Sequence, residues 1–318
     1  MKNQKVLFLI ISLFVVLLLS LNIYYIVSKN KVNNNPSTGF YFIDPEVLDL
    51  DNYLATKEEY TISYQPLKAK IEKIVSNSTG HFGVYFEDLT IHSWIGINEK
   101  EYFTPASLLK ITTAVAILKE IEEGELSLQE QVLLTNKHID TGFGNLYNYK
   151  GSIFTIEELL KISLIYSDNT AIKALHDYLT LDRWEEARLA MGLPLVSVNQ
   201  SAAGIELTPK QFSNVFKSLY YSGYLSRSSS NWILSLLSQT VFKTGIPAGV
   251  PKDVLVSHKI GVWINNGESV GSVNDCGIVY TKNPYILCIM SENVTSEEGN
   301  RVIEEISRTV YNYVSNKK

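Results

Sequence analysis

Ser107 and Lys110 are the first residues in the chain whose types and spacing could do chemistry. Thr104 and Pro105 have the residue types of a helix N-cap and first helical position, and Gly124 stands where such a helix would end. Lys110 would then share a face with Ser107. Because the helix is apolar, Lys110 would be buried, lose proton affinity and be able to accept a proton from the hydroxyl. A capped helix with a lysine reaching solvent explains the same pattern.

Two later segments place polar residues where a helix or a strand is expected. Asp168 is a suitable helix cap, which leaves Ser167 and Asn169 free to face one way, although capping alone accounts for the trio. Lys259 lies in an apolar strand beside Gly261, which indicates close approach by a ligand. Together with Ser-x-x-Lys, the three segments reproduce a known triple motif in the expected order on helix, loop and strand.

From about Gln65 to its end, the chain resembles the class A β-lactamase branch of the penicillin-binding serine hydrolases. The matching segments are Thr-Pro-Ala-Ser-Leu-Leu-Lys from Thr104, Tyr-Ser-Asp-Asn-Thr-Ala from Tyr166, Leu-Thr-Pro from Leu207, His-Lys-Ile-Gly from His258 and Asn-Asp-Cys-Gly-Ile-Val from Asn274. The resemblance implies acyl transfer through a serine nucleophile, with no cofactor and no metal ion.

The resemblance also implies a role for each matching polar residue. Ser107 would be the nucleophile and Lys110 the neighbouring proton acceptor. Ser167 would relay a proton to the leaving nitrogen, and Asn169 would position the substrate amide. Lys259 would supply positive charge opposite a substrate carboxylate and near Ser167.

The residues that follow Lys259 would complete the substrate site. The oxyanion would meet the backbone N–H groups of Ser107 and Val262, beside the close approach that Gly261 permits. Ile260 is a departure, because the family usually has Thr or Ser there and the hydroxyl helps to bind the substrate carboxylate. Losing one such hydrogen bond costs about 1.5–3 kcal/mol, which weakens binding without abolishing the chemistry.

A second departure concerns hydrolysis of the acyl-enzyme. The family's lactamases carry a Glu-x-x-Leu-Asn segment after the Ser-Asp-Asn helix, and its glutamate activates the attacking water. Here the interval from Asn169 to Thr208 is shorter than usual and lacks that pattern. The acidic residues of the interval are Asp177, Asp182, Glu185, Glu186 and Glu206. Glu185 and Glu186 are expected on a solvated helix face, so we expect slow deacylation.

The order of predicted elements indicates how these residues are brought together. A helix from Gln65 to Ser76 and two strands near Phe82 and Trp94 precede the Ser107 helix. Helices follow up to about residue 238, then three strands between residues 254 and 290, and a last helix to Ser315. This order predicts one α+β unit: an antiparallel sheet built from both chain ends and flanked by helices, with an all-helical lobe inserted.

The N-terminus predicts a membrane anchor. Residues 6–27 form an almost unbroken apolar run of membrane-spanning length, without a small-x-small cleavage site. Lysines stand on both sides of the run, so charge alone does not set its orientation. We predict a cytoplasmic tail at 1–5, an uncleaved anchor at 6–27, an extended and solvated extracellular tether at 28–60, and the catalytic domain at 61–318.

Composition argues against nucleic acid as a partner and against a zinc site, and it leaves open whether the two cysteines pair. The formal net charge is −5 and basic residues are not clustered, which argues against nucleic acid. Five scattered histidines and two cysteines lack the spacing of a zinc site. Cys276 and Cys288 are predicted to be buried free thiols. A disulfide between facing strands stays an alternative, because the strand register is not readable from the sequence.

The prediction for function is a membrane-anchored extracellular serine hydrolase or acyl-transferase with an acyl-enzyme on Ser107. Its substrate would be a peptidoglycan stem peptide or a β-lactam, as in a D-alanyl-D-alanine-type peptidase or a slow penicillin binder. Two alternatives are a genuine β-lactamase, which needs a deacylating base, and a catalytically silent binding module. The presence of all five polar residues of the triple motif argues against the silent module.

Overall fold

A computed structural model describes residues 41–43, 63–195, 204–264 and 268–316. The predicted tail and anchor at residues 1–27, and all of the predicted tether except residues 41–43, lie outside these ranges. Within the described ranges, none of the helices combines the length and apolar character needed to cross a membrane.

The centre of the domain is a five-stranded antiparallel sheet with the strand order β2-β1-β7-β6-β5. Its strands are β1 (His81–Asp88), β2 (Trp94–Ile97), β5 (Leu255–Trp263), β6 (Ser272–Tyr280) and β7 (Tyr285–Glu292). Strands from the start of the domain pair with strands from its end through β1 and β7. This confirms the predicted α+β sheet assembled from both ends, and it makes β5 an edge strand.

Helices cover both faces of the sheet. The first and last, α1 (Gln65–Ser76) and α8 (Ser296–Ser315), pack on one face. The inserted lobe on the other face contains α2 (Lys110–Glu123), α3 (Ile156–Ile165), α4 (Asn169–Leu175), α5 (Leu181–Ala190), α6 (Pro209–Tyr220) and α7 (Arg227–Ser238). Two short strands that the sequence did not predict, β3 (Gln131–Leu133) and β4 (Ile153–Thr155), pair beside this lobe. Because both faces are covered, β6 and β7 are buried along nearly their whole length.

Helix α2 carries Lys110 into the core of the lobe. Its first nine residues, Lys110 to Leu118, are all buried, as expected for a helix that is apolar on every side. The helix ends at Gly124, which adopts a left-handed conformation with φ 84° and donates its N–H to the last turn. The predicted end of the helix is therefore confirmed.

The start of that helix differs from the prediction. A single 3₁₀ turn, Ala106–Leu109, precedes α2, and neither Thr104 nor Pro105 caps it through a side chain. Thr104 is held to the sheet instead: its carbonyl accepts from Asn274 Nδ2 at 2.9 Å and its N–H donates to Glu292 Oε1 at 3.2 Å. Tertiary hydrogen bonds to β6 and β7 therefore replace the local cap.

The prediction of two free thiols is wrong. Cys276 on β6 and Cys288 on β7 are register partners and form a disulfide. Both residues are fully buried against the helical lobe. The pairing depends on the register of two neighbouring strands, which residue spacing alone does not determine.

Residues 41–43 contact the domain, although they lie inside the predicted solvated tether. Phe42 N–H donates to Asn231 Oδ1 on α7 at 3.1 Å, and Tyr280 Oη donates to the Phe42 carbonyl at 3.1 Å. Ile43 is only 1% exposed. Phe42 and Ile43 therefore pack on the domain instead of being solvated, whereas Tyr41 is 71% exposed.

Candidate active site

The 3₁₀ turn that carries Ser107 lies directly against the edge strand β5. A β-carbon at Gly261 would stand 2.3 Å from the carbonyl oxygen of Pro105 and 3.3 Å from the backbone N of Leu108. Only glycine permits this approach, because any side chain would collide with the turn. Gly261 therefore brings the half-buried Ser107 next to the outer edge of the sheet.

Lys110, one residue after the turn, points into a cluster of oxygen atoms and is only 6% exposed. Its Nζ donates to the Ser167 carbonyl and, at 2.7 Å, to Asn169 Oδ1. Ser167 Oγ lies 3.3 Å from the same Nζ. A neutral amine has two N–H groups and one lone pair. The two carbonyl-type oxygens can occupy both N–H groups, which leaves the lone pair to accept a proton from a hydroxyl.

Lys259 reaches the same hydroxyl from the sheet. Its Nζ lies 2.7 Å from Ser167 Oγ and 3.1 Å from the Ile260 carbonyl, and the side chain is 1% exposed. Ser167 Oγ is therefore shared by two lysines from opposite sides of the cleft. The structure places Lys110, Ser167, Asn169 and Lys259 in one hydrogen-bonded cluster, next to the turn of Ser107 that packs against Gly261.

Burial lowers the pKa of both lysines. Desolvation lowers the pKa of Lys110 to about 8, although the charges of Asp168 and Asp140 oppose the shift. Desolvation also lowers the pKa of Lys259 well below its usual range, and the positive charge of Lys110 lowers it further. Ser167 Oγ therefore connects two amines whose pKa values are both lowered, and it offers a path for a proton between them.

The backbone is strained at two positions of the site. Ala106, directly before Ser107, has φ 50°, and Ser167 has φ 57°. A left-handed conformation is costly for residues with a side chain and is typical of functional sites. The surrounding contacts hold both residues in this conformation. The sequence did not predict a left-handed conformation at either position.

Asp168 fixes the loop that presents Ser167 and Asn169. Its Oδ1 accepts from Ala171 N at 2.9 Å and caps α4, which confirms the predicted cap. Its Oδ2 accepts from Leu146 N at 2.9 Å, and a β-carbon at Gly144 would collide with this carboxylate. The cap therefore also holds the loop before β4 against the active site.

The side chains of Ile260 and Val262 lie on the side of β5 that faces away from the Ser107 turn. Strand alternation places Lys259 and Gly261 on the face toward the Ser107 turn, and Ile260 on the reverse side with His258. The register partner of Ile260 is Asp275, whose Oδ1 accepts from His258 Nδ1 at 2.8 Å. Ile260 is half-buried and the side chain of Val262 is 39% exposed. Because β5 is an edge strand, its outer backbone groups face no neighbouring strand.

An aromatic pair joins the loop that contacts Asn169 to the segment before β5. Phe143, 44% exposed, comes from the helical lobe, where its carbonyl accepts from Asn169 N at 3.0 Å. Its ring lies 5.8 Å, between centroids, from that of Phe242 on the sheet side. The partly exposed Phe143 ring therefore lies beside the residue that follows Asp168 in the Ser-Asp-Asn segment.

The acidic residues between Asn169 and Thr208 form ion pairs with residues outside the cluster of Lys110, Ser167 and Lys259, or are exposed. Glu185 pairs with Arg188 at 3.3 Å, Glu186 pairs with Arg183 at 3.0 Å, and Glu206 is exposed. The remaining members are Asp177, bonded to Lys137 and His138, and the exposed Asp182. Residues 196–203 are outside the described ranges, and their sequence contains no Asp or Glu.

Comparison with known proteins agrees with this geometry. The sequence model described as the beta-lactamase enzyme family matches residues 66–314. The chain belongs to this family. As a member of the family, the protein is a serine hydrolase. Across the described ranges, no group of three or more His, Cys, Asp or Glu side chains is arranged to hold a metal ion.

Similar sequences and structures cover most of the domain. Beta-lactamase VEB-1 of Pseudomonas aeruginosa is 24% identical over 79% of this chain and 91% of its own length. Beta-lactamase SME-1 of Serratia marcescens is 24% identical over 88% of this chain and 97% of its own. The solved structure of PBP-A superimposes with a TM-score of 0.71, at 25% identity, over 79% of this chain and 97% of PBP-A. A PBP-A variant described as an acyl-enzyme complex with penicillin G matches equally well over 80% of this chain.

Sequence reasoning missed one polar residue of the site, Asp140. Its Oδ1 accepts from Asn169 Nδ2 at 3.1 Å. It stands in the segment Ile-Asp-Thr-Gly-Phe-Gly, which has no motif spacing relative to Ser107 or Ser167. The contact arises only when the loop before β4 folds onto α4.

Proposed function

We propose that the protein is a membrane-anchored, extracellular serine acyl-transferase or hydrolase that forms an acyl-enzyme on Ser107. Its substrates would be a peptidoglycan stem peptide or a β-lactam, and its acyl-enzyme would be hydrolysed slowly. One observation carries the proposal: Lys110 and Lys259 share the Ser167 hydroxyl beside the turn that presents Ser107. This arrangement supplies a base, a proton relay and a nucleophile within one desolvated cleft.

In the proposed acylation, Lys110 takes the proton of Ser107 while Ser107 Oγ bonds to the substrate carbonyl carbon. The negative charge that develops on the carbonyl oxygen faces the backbone N–H groups of Ser107 and Val262. The carbon–nitrogen bond then breaks, and the nitrogen takes a proton from Ser167. Lys110 returns the Ser107 proton to Ser167, so no proton is gained or lost, while Lys259 holds Ser167 Oγ from the other side.

Slow deacylation is proposed because, among the described residues between Asn169 and Thr208, no acidic side chain is paired with the lysines or serines of the site. The carboxylates of Glu185 and Glu186 are neutralised by arginines on their own helix. Both residues lie on α5, which packs on α2 through the hydrogen bond from Trp184 Nε1 to Thr112 Oγ1 at 3.0 Å. Thr112 comes after Lys110 on α2, so α5 packs on the part of α2 that lies within the helical lobe.

A genuine β-lactamase is the second candidate. The names of similar proteins favour it, since VEB-1 and SME-1 are both called beta-lactamases. The first candidate is favoured because the described part of the interval from Asn169 to Thr208 places its acidic side chains in ion pairs or at the surface. The two candidates share the acyl-enzyme and differ only in its lifetime, so timing of the second step separates them.

We expect a burst of about one equivalent of product from a chromogenic β-lactam, followed by little turnover. Without a positioned base, water attack loses a general-base contribution on the order of 10²–10⁴. Stopped-flow absorbance gives the burst, and intact-mass spectrometry follows the decay of the adduct. Rapid continuous hydrolysis that falls in a Glu185→Gln, Glu186→Gln or Glu206→Gln variant would instead identify a β-lactamase, and Asp182→Asn serves as the matched control.

The location of the protein is also part of the proposal. The apolar run at 6–27 supports a membrane anchor, and the tether would place the domain outside the cell. The disulfide between Cys276 and Cys288 supports an oxidising compartment, because disulfides persist mainly outside the cytosol.

We expect the mature protein to keep its N-terminus and to remain in the membrane pellet after washing with high salt. An apolar helix of this length is not released by screening charges. Immunoblotting of the washed pellet and N-terminal sequencing measure this. Release by salt, or a mature N-terminus beyond residue 27, would contradict the anchor.

A further inference from the structure

The amide of Asn169 lies between a lysine and a carboxylate. Its Oδ1 accepts from Lys110 Nζ at 2.7 Å, and its Nδ2 donates to Asp140 Oδ1 at 3.1 Å. A carboxylate can only accept, so it fixes which end of the amide faces it. With the amide reversed, the Asn169 oxygen would face the Asp140 carboxylate and its NH₂ group would face the lysine. Asp140 therefore determines that the amide oxygen points at Lys110.

Asp140 is itself held firmly against α4. Its Oδ2 pairs with Lys173 at 2.7 Å, and its Oδ1 also accepts from Gly142 N at 2.8 Å. Its backbone N–H donates to Thr170 Oγ1 at 3.0 Å, and the same hydroxyl donates to its carbonyl at 3.1 Å. Lys173 and Thr170 stand on the helix that begins with Asn169. The carboxylate therefore has a fixed position relative to the amide.

We propose that Asp140 is a positioning residue for acyl transfer, which orients the Asn169 amide toward Lys110 and leaves its second N–H free for the substrate carbonyl. The proposal rests on the proposed function. The Asn169 Nδ2 has two hydrogens, of which Asp140 engages one. No hydrogen bond within the described ranges engages the other, so it is available to donate to a substrate carbonyl.

The charge of Asp140 acts on Lys110 as well. It raises the pKa of Lys110 against the larger, lowering effect of burial. Removing the charge while keeping the shape, as in Asp140→Asn, should therefore lower the pKa of Lys110 further. Because only the neutral amine accepts a proton, the pH at which acylation reaches half its plateau should then move to lower pH.

The experiment compares the full-length wild-type protein with Asp140→Asn, and uses Asp177→Asn as the matched control. Asp177 is also a partly exposed lobe carboxylate paired with a lysine, Lys137, but it contacts neither Asn169 nor Lys110. We expect Asp140→Asn to lower the plateau acylation rate by about tenfold to a hundredfold, the scale of a misplaced reacting group. We also expect its midpoint to move to lower pH and Asp177→Asn to match the wild type.

A second measurement separates this proposal from the proposed function. The Lys110 ¹³Cε chemical shift, followed against pH in lysine-labelled protein, gives the Lys110 midpoint without any substrate. A midpoint that is the same in Asp140→Asn and wild type overturns the positioning role, whether or not the protein acylates. A wild type that forms no adduct on Ser107 overturns the proposed function, while a lowered Lys110 midpoint in Asp140→Asn still supports the action of the Asp140 charge on Lys110. A lower rate with an unmoved midpoint would indicate a merely structural role.

Discussion

A Ser107→Ala variant is expected to form no covalent adduct with a β-lactam, whereas the wild-type protein should gain the mass of one reagent molecule. The hydroxyl is the proposed nucleophile, and alanine keeps the turn against Gly261 while removing the only atom that could bond to the carbonyl carbon. Intact-mass spectrometry of the protein after incubation with penicillin G measures the adduct directly.

The matched control is Ser163→Ala. Ser163 is a buried serine on α3, and its hydroxyl has no hydrogen-bond partner within the described ranges. This variant should acylate like the wild type and should keep its thermal unfolding temperature. An adduct that survives in Ser107→Ala would move the nucleophile to another residue, which peptide mapping of the labelled protein would locate.

Local sequence was sufficient to predict the elements that carry the site. The apolar run after Lys110 and the glycine at residue 124 defined α2, and Asp168 as a cap defined the start of α4. The apolar segments around Lys259 and Cys276 predicted β5 and β6. Residue type and periodicity determine such features directly, because each depends on neighbours in the chain.

The features that the sequence did not reveal depend on contacts between distant segments. The left-handed Ala106 arises where the turn meets β5 and where Thr104 is tied to Asn274. The pairing of Cys276 with Cys288 follows from strand register. In each case the determining partner lies far along the chain, so no local pattern records it.

Asp140 illustrates the same limit inside the site. Spacing identified Asn169 because it follows Ser167 by two residues, but the carboxylate that orients its amide comes from 29 positions earlier. The loop reaches α4 because Gly142 and Gly144 permit tight turns, and Gly144 has φ 91°. A motif therefore located the groups proposed to contact substrate, and the fold added the group that orients one of them.

Lys110→Ala is expected to lower the acylation rate by a factor on the order of 10²–10⁴, the usual contribution of a positioned general base. The same base should govern the pH dependence of the wild type. Because only the neutral amine accepts a proton, and burial lowers the Lys110 pKa to about 8, the acylation rate should rise with pH and level off above that value. A lysine at its usual pKa of about 10.4 would not level off until far more alkaline pH.

Stopped-flow acylation between pH 6 and pH 10 measures both effects, and Lys119→Ala is the control. Lys119 lies on the same helix but pairs at the surface with Glu122 and Glu123. The control should keep the acylation rate and the pH midpoint of the wild type. In Lys110→Ala the acylation rate should be low and should no longer rise with pH around the wild-type midpoint. If Lys110→Ala acylates at the wild-type rate with an unchanged midpoint, Lys110 is not the base. Lys259, which shares the Ser167 hydroxyl, would then be the amine whose ionisation the pH profile reports.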